Sequence, residues 1–285
     1  MGKLSAFADS KLVLLAIGLL GITILAALLA PWIAPQDPYD LAQLYILDAR
    51  MPPLTRNASG MLFLLGTDDQ GRDVFSAVLY GLRISLGVAF VATAIAVVLG
   101  TSIGLMSAYA GGRVDAMLMR IVDMQLSFPA VLIALMLVAL LGTGIEKVTI
   151  AIVAVQWARY ARTVRGAAMV EREREYVEAA QCLAYGPSRI MFRHILPNCM
   201  APLSILATVE VASAISIEAT LSFLGVGLPI TKPSLGLLIA NGYPFMLSGN
   251  YWLSIYPGLV LIAVIIAINI VGDRLREVLN PRSER

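Results

Sequence analysis

The sequence predicts an all-α integral membrane protein with about six transmembrane helices. Three observations carry that prediction. Of 285 residues, 59% are hydrophobic and 14% charged, with a mean hydropathy of +0.81; a soluble domain usually carries about 25% charged residues. The apolar residues gather into six segments, most of them near the roughly 20 residues that a helix needs to cross the hydrocarbon core. Lys and Arg fall unequally on the two sets of connections between those segments.

The first segment, residues 12–33, follows Lys3 and Lys11. It is longer than the ~7–15-residue core of a signal peptide, and Pro31 stands where cleavage would fall, so it reads as a retained span. The second, residues 84–108, holds Gly100 and Gly104 at the GxxxG spacing that allows close helix packing, within the chain or against another subunit. The third, residues 124–141, carries Pro129, which predicts a kink in its first turn. Asp123 at its inner edge is expected to pair with Arg120 or to cap the span. The fourth, residues 148–160, is the shortest and ends in Arg159 and Arg162; without it the termini would lie on opposite sides. The fifth, residues 200–224, contains Glu210 and Glu218, and the sixth is residues 253–271.

With six spans and the N-terminus inside, roughly fifteen Lys and Arg fall on inner segments against about six outside (Arg50, Arg56, Arg72, Arg83, Lys147 and Lys232), the positive-inside bias. The expected organisation is therefore a cytoplasmic tail of residues 1–11, a transmembrane domain of residues 12–272 and a cytoplasmic tail of residues 273–285. Two connections are long. The outer one, residues 35–82, is rich in Pro, Asp and Gly and too long for a simple turn, so it is expected to fold or dock. The inner one, residues 163–198, is polar and basic.

Several chemistries are excluded. The chain has no GxxxxGK[ST] phosphate loop, so it hydrolyses no nucleotide through a P-loop of its own. One histidine, His194, and two cysteines, Cys182 and Cys199, build neither an ordinary zinc site nor a Ser–His–Asp triad, nor a disulfide framework. Basic residues are not interleaved with aromatics, which speaks against nucleic acid. A self-sufficient secondary transporter would need coupling-ion groups in broken helices and often an inverted repeat; no repeat is visible and Glu210 is the mid-span acid.

The inner connection has its own pattern. Glu171, Arg172, Glu173, Arg174 and Glu175 alternate in sign, as on an exposed, ion-paired helix face. A helix is expected over residues 171–183. Gly186-Pro187 then breaks it, with Gly186 as a left-handed cap and Pro187 in the first turn of the next helix. A second short helix over residues 188–194 is expected to end at Pro197. Ala179, Ala180 and Leu183 would present an apolar surface small enough for a partner to approach closely. Physically, such a hairpin either docks on a partner or lies on the lipid surface with Arg189 and Arg193 among anionic headgroups.

Glu178-Ala179-Ala180 followed by Ile195, Leu196 and Pro197 resembles the EAA loop of binding-protein-dependent ABC importer permeases. The glycine of that family's pattern is replaced by Ala184, with Gly186 two residues later, which suggests a slightly longer first helix. Other segments resemble one branch, the C-type permease of dipeptide, oligopeptide and nickel importers: Leu65-Gly66-Thr67-Asp68-Asp69-Gln70-Gly71-Arg72-Asp73, Arg83-Ile84-Ser85-Leu86, Gly111-Gly112-Arg113-Val114-Asp115, Met119-Arg120-Ile121-Val122-Asp123, Leu221-Ser222-Phe223-Leu224-Gly225, Asn269-Ile270-Val271-Gly272-Asp273, Leu275-Arg276-Glu277 and Asn280-Pro281.

The resemblance implies a type I ABC importer permease fold in a bacterial inner membrane. It implies pairing with a second, homologous permease, two cytoplasmic ATPases that bind ATP and Mg, and an extracytoplasmic substrate-binding protein. It assigns ATPase coupling to Glu178, Ala179, Ala180, Ala184, Gly186, Ile195, Leu196 and Pro197; Arg189, Arg193 and His194 have a charge role there or a solvated, capping one. The substrate class is peptides, with nickel chelates, glutathione and opine-like solutes as alternatives carried by relatives. Glu210 and Glu218, eight residues apart and within about 80° on one helix, are expected to line the pathway for a cationic group, or to bond another subunit. The outer motif with Asp68, Asp69, Gly71, Arg72 and Asp73 is a lid, a docking site for the binding protein, or a structural loop.

Overall fold

The computed structural model describes residues 10–40, 44–229 and 231–279. Lys3, Asn280-Pro281, Arg282 and Arg285 lie outside the described residues. The helices are α1 (Lys11–Leu28), α2 (Ala30–Ile33), α3 (Val74–Ala110), α4 (Gly112–Leu126), α5 (Ala130–Leu141), α6 (Ile145–Arg172), α7 (Glu175–Cys182), α8 (Pro187–Arg189), α9 (Met200–Phe223), α10 (Leu235–Gly242) and α11 (Trp252–Leu279). An antiparallel pair in the outer connection, β1 (Thr55–Arg56) and β2 (Leu62–Phe63), sets Thr55 opposite Phe63.

By length and apolarity four stretches qualify as membrane spans: α1, α3, residues 187–223 and α11; the α4–α5 pair makes a fifth if a bent pair is one span. Helix α6 has 28 residues, long enough to cross, and contains the whole fourth apolar segment, but it carries Arg159, Arg162 and Arg165. Lipid tails are as apolar as leucine, so helices in a bilayer associate through close packing of small residues. The pairing of α3 with α6 follows that rule. Ala89, Ala92 and Ala96 on α3 and Ala151, Ala158, Ala161 and Ala168 on α6 have no exposed surface. A Cβ on Gly104 would stand 2.6 Å from the Ala161 carbonyl oxygen, and one on Gly100 would collide with that of Trp157. The GxxxG pair thus serves packing inside the chain.

Three boundaries differ from the sequence reading. The second span starts at Val74 rather than near residue 84, because Asp73 caps α3 by accepting from the Ser76 N–H at 2.8 Å. The outer connection is correspondingly shorter. Pro129 does more than kink the third segment: α4 and α5 meet at 89°. Proline disfavours the α region at the residue before it, so α4 ends ahead of Phe128, and the Ser127 hydroxyl bonds the Asp123 carbonyl at 2.7 Å at the end of α4. Asp123 pairs with Arg162, not with Arg120. Pro197 does not stop the chain before the fifth span. Helix α8 runs through a π-type turn (Ile190–Ile195) and a 3-10 turn (Leu196–Cys199) directly into α9. Proline lacks an N–H and clashes with the carbonyl four residues back, and the widened turn just before it accommodates both.

The inner arginines hold helix ends together. Arg165 makes a bidentate pair with Asp115 (Nε–Oδ1 and Nη2–Oδ2, both 2.6 Å), and Ser107 donates to the same carboxylate at 2.6 Å. Arg172 donates to the Ala108 carbonyl at 2.8 Å at the C-terminal end of α3, where unpaired carbonyls and the helix dipole favour a cation. Helices α3, α4 and α6 are thereby tied at the end from which α7 and the segment leading to α9 depart.

Candidate functional site

The segment from α7 to the start of α9 is seated on the inner ends of α3 and α6. Val177, Ala180, Ile190, Ile195 and Cys199 are buried in one apolar cluster with Leu105, Tyr160, Val164, Ala168 and Leu203. Ala180 therefore faces the chain itself, contrary to its expected place on a partner surface, because its neighbour across the contact is the α3–α6 pair. Glu178, Ala179, Ala184, Gly186, Arg189, Arg193 and Pro197 are exposed, and His194 and Leu196 half-buried. Leu183 is 66% exposed and Phe192 49%. The result is a ledge with an anchored apolar underside and an outer face of mixed apolar and charged residues.

Helix α7 ends earlier than expected. The Tyr185 N–H bonds the Ala180 carbonyl at 3.1 Å and the Ala184 N–H bonds that of Gln181 at 2.9 Å, the paired bonds of a Schellman cap. Its left-handed position is Ala184, at φ 52°, whereas Gly186 has φ −66° and is extended. The position where the family pattern has glycine is the one that needs it, and alanine there bears the Cβ strain of the left-handed region.

Side chains brace the ledge. The Tyr176 hydroxyl donates to Glu171 at 2.6 Å and accepts from Asn198 at 3.0 Å, and Asn198 also donates to the His194 carbonyl at 3.0 Å. One phenol so links the end of α6, α7 and the entry to α9. Burial, then the bond to Glu171 and its charge, push the Tyr176 hydroxyl up to about 12, so it remains a donor across physiological pH. Arg189 lies 4.0 Å over the Tyr185 ring, and Tyr185 stacks on His194 at 5.8 Å. Arg189 and His194 thus form one stacked group with Tyr185, while Arg193 points out into solvent.

Glu210 and Glu218 do not line an open surface of the chain. Glu218 has no exposure; it accepts from Ser85 on α3 and Ser222 on α9, both at 2.7 Å. Glu210 is 2% exposed and accepts from Arg159 at 2.8 Å. A carboxylate in hydrocarbon is costly unless it meets a partner, and both find theirs within the chain. Arg159, counted in the sequence as an inner-loop charge, is instead a mid-helix residue of α6; the sequence offered no signal of its partner 51 positions away.

Most charges of the outer motif are turned inward and paired within the chain. Arg72 pairs with Asp68 at 2.8 Å and both are buried. The Asp68 carboxylate also accepts from the Gln70 and Arg72 N–H groups at 2.8 Å each. Burial pushes the Asp68 carboxyl above its usual range, with Arg72 and these N–H bonds pulling the other way. Asp73 caps α3, and its N–H donates to Gln36 at 2.7 Å. Gly71 sits at φ 78°, against the Tyr45 carbonyl. Asp69 alone of the motif's charges is exposed. An open, mainly apolar cleft of about 690 Å³ lies between the outer ends of α3 and α6, with Arg83, Glu146 and Lys232 among its lining residues. Among the described residues no group of three or more His, Cys, Asp or Glu is placed to hold a metal ion.

A bundle of apolar helices long enough to cross a membrane, with a braced ledge at one end, defines a multi-pass membrane protein. Residues 96–285 match the family described as binding-protein-dependent transport system inner membrane component, and residues 4–53 match the N-terminal transmembrane domain of oligopeptide transport permease C. The chain belongs to that family of inner-membrane permeases. It is 39% identical over 268 residues to the dipeptide transport system permease protein DppC of Haemophilus influenzae, covering 93% of this chain and 90% of that protein. It is 36% identical over 277 residues to the di/tripeptide transport system permease protein DppC of Pseudomonas aeruginosa, covering 97% and 90%. Its fold is shared with the inward-facing MetNI methionine ABC transporter, at a TM-score of 0.59 and 18% identity, over 73% of this chain and 98% of that one.

Proposed function

We propose that the chain is the C-type permease subunit of an ATP-driven importer of peptides. It forms half of the pathway beside a second, homologous permease. Two cytoplasmic ATPases bind ATP and Mg and seat on the ledges, and an extracytoplasmic binding protein delivers the substrate. The N- and C-termini face the cytoplasm.

One observation carries the coupling role. The ledge is anchored through Val177, Ala180, Ile190 and Ile195 to the α3–α6 pair, and it continues without a break into α9. A displacement of its exposed face by a closing ATPase therefore moves α6 and α9 together. The bonds of Tyr176 to Glu171 and Asn198 keep the two helix entries in step. Peptides are favoured as cargo by the named functions of the relatives matched over nine-tenths of their length.

The test is uptake of a labelled dipeptide into vesicles containing the assembled complex. Uptake should need ATP, both ATPases and the binding protein. Full-rate uptake by this chain without any ATPase would refute the proposal.

A further inference from the structure

The Arg159–Glu210 pair sits where an ion pair is expensive. Glu210 lies ten residues into the 24-residue α9, about 15 Å from its inner end, and the Arg159 guanidinium is 2.8 Å from it. Both groups therefore lie near the middle of their helices, α6 and α9. Glu210 is 2% exposed, but the Arg159 side chain is 35% exposed on the surface of the chain. A guanidinium edge facing lipid at that depth costs at least ~2.5–3.5 kcal/mol on insertion scales, so exposed mid-span charges face a water-filled cavity or a partner.

The arginine is also held in place. Gln156, fully buried, donates to the Glu210 carbonyl at 2.6 Å, and Thr93 donates to Gln156 at 3.3 Å. Glu210 in turn accepts from Nη1 of Arg159. A guanidinium offers five N–H donors in a planar fork suited to carboxylates, and the bond to Glu210 takes up only one of them.

Resting on the peptide-importer reading above, we propose that Arg159 is the pathway residue that binds the C-terminal carboxylate of the passing peptide, with Glu210 as its positioning residue. Every linear peptide carries that carboxylate, so one site serves many side chains. Glu210 offsets part of the charge, which keeps the contact weak enough for release. This reverses the part expected of Glu210, which holds the binding group rather than touching a cationic substrate.

The test compares alanyl-phenylalanine with its C-terminal amide in ATP-driven uptake by the reconstituted complex. Arg159→Gln should lower free-acid uptake about tenfold, the scale of one lost charged hydrogen bond, and change amide uptake less than twofold. Arg159→Lys should retain most of the free-acid uptake. The double variant Arg159→Gln/Glu210→Gln removes both charges, so it assembles even where the single variant leaves buried Glu210 unpaired, and it should show the same selective loss. Equal falls for acid and amide, or no fall for either, would overturn the assignment and leave the importer reading standing. An assembled wild-type complex that takes up neither compound would sink both.

Discussion

Two polar inserts interrupt the apolar bundle, and they spend their polar groups in opposite ways. The outer insert turns its charges inward. Asp68, Arg72 and Asp73 are buried: Asp68 and Arg72 pair with each other, and Asp73 caps the first turn of α3 and donates its N–H to Gln36. The inner insert buries apolar residues, Val177, Ala180, Ile190 and Ile195, and leaves most of its polar residues and Leu183 and Phe192 outside. An insert that buries its charges in its own contacts suits a closure; one anchored underneath with apolar and charged groups exposed on top suits the partner surface proposed above. Both carry a conspicuous motif, so a motif alone does not say which kind of insert it marks.

Substitutions can break this contrast. The largest effect is expected from Arg72→Ala, which strands Asp68 as a buried charge and should cost about 3–5 kcal/mol of stability. Thermal unfolding in detergent would measure it, and ATPase association per folded molecule should not change. Next is Ala180→Trp, which overpacks the underside of the ledge and should cost about 1–3 kcal/mol, seen as lower thermal stability and as early proteolysis of the ledge. If Ala180→Trp left stability untouched, the anchoring described here would be wrong. Ala184→Gly should act in the other direction, raising stability by roughly 1 kcal/mol through relief of the left-handed strain. Tyr176→Phe, which removes the bonds to Glu171 and Asn198, should cost about 0.5–1.5 kcal/mol and lower uptake per ATP hydrolysed.

Much of this architecture was legible in the residues. Helices α1, α3, α9 and α11 follow from unbroken apolar runs, and the ledge from a polar stretch flanked by spans. Other features depend on tertiary contacts that no local pattern contains. Ala179 and Ala180 look alike in sequence, yet only the α3–α6 surface decides that Ala180 is the one underneath. Gly186 is the obvious left-handed residue by propensity, but the cap falls where α7 runs out, at Ala184. Arg159 reads as a loop charge because it ends an apolar run; its place in the middle of α6 and its pairing with Glu210 become visible only in the fold. Pro129 and Pro197 show the same limit. One breaks a span at a right angle and the other is absorbed by a widened turn, because the neighbouring residues differ in what they can satisfy.

On the proposed reading, the exposed face of the ledge, and not its underside, meets the ATPase. Binding of the purified ATPases to the vesicle-embedded permease pair, titrated for wild type and for Ala179→Trp, tests it most directly. Ala179 is exposed and is not a member of the anchoring cluster, so its bulky variant should insert and unfold as wild type does. A central-contact change of at least ~2 kcal/mol predicts ATPase affinity lowered about thirtyfold, with uptake lost in parallel. Wild-type ATPase affinity in Ala179→Trp would rule out docking on this face.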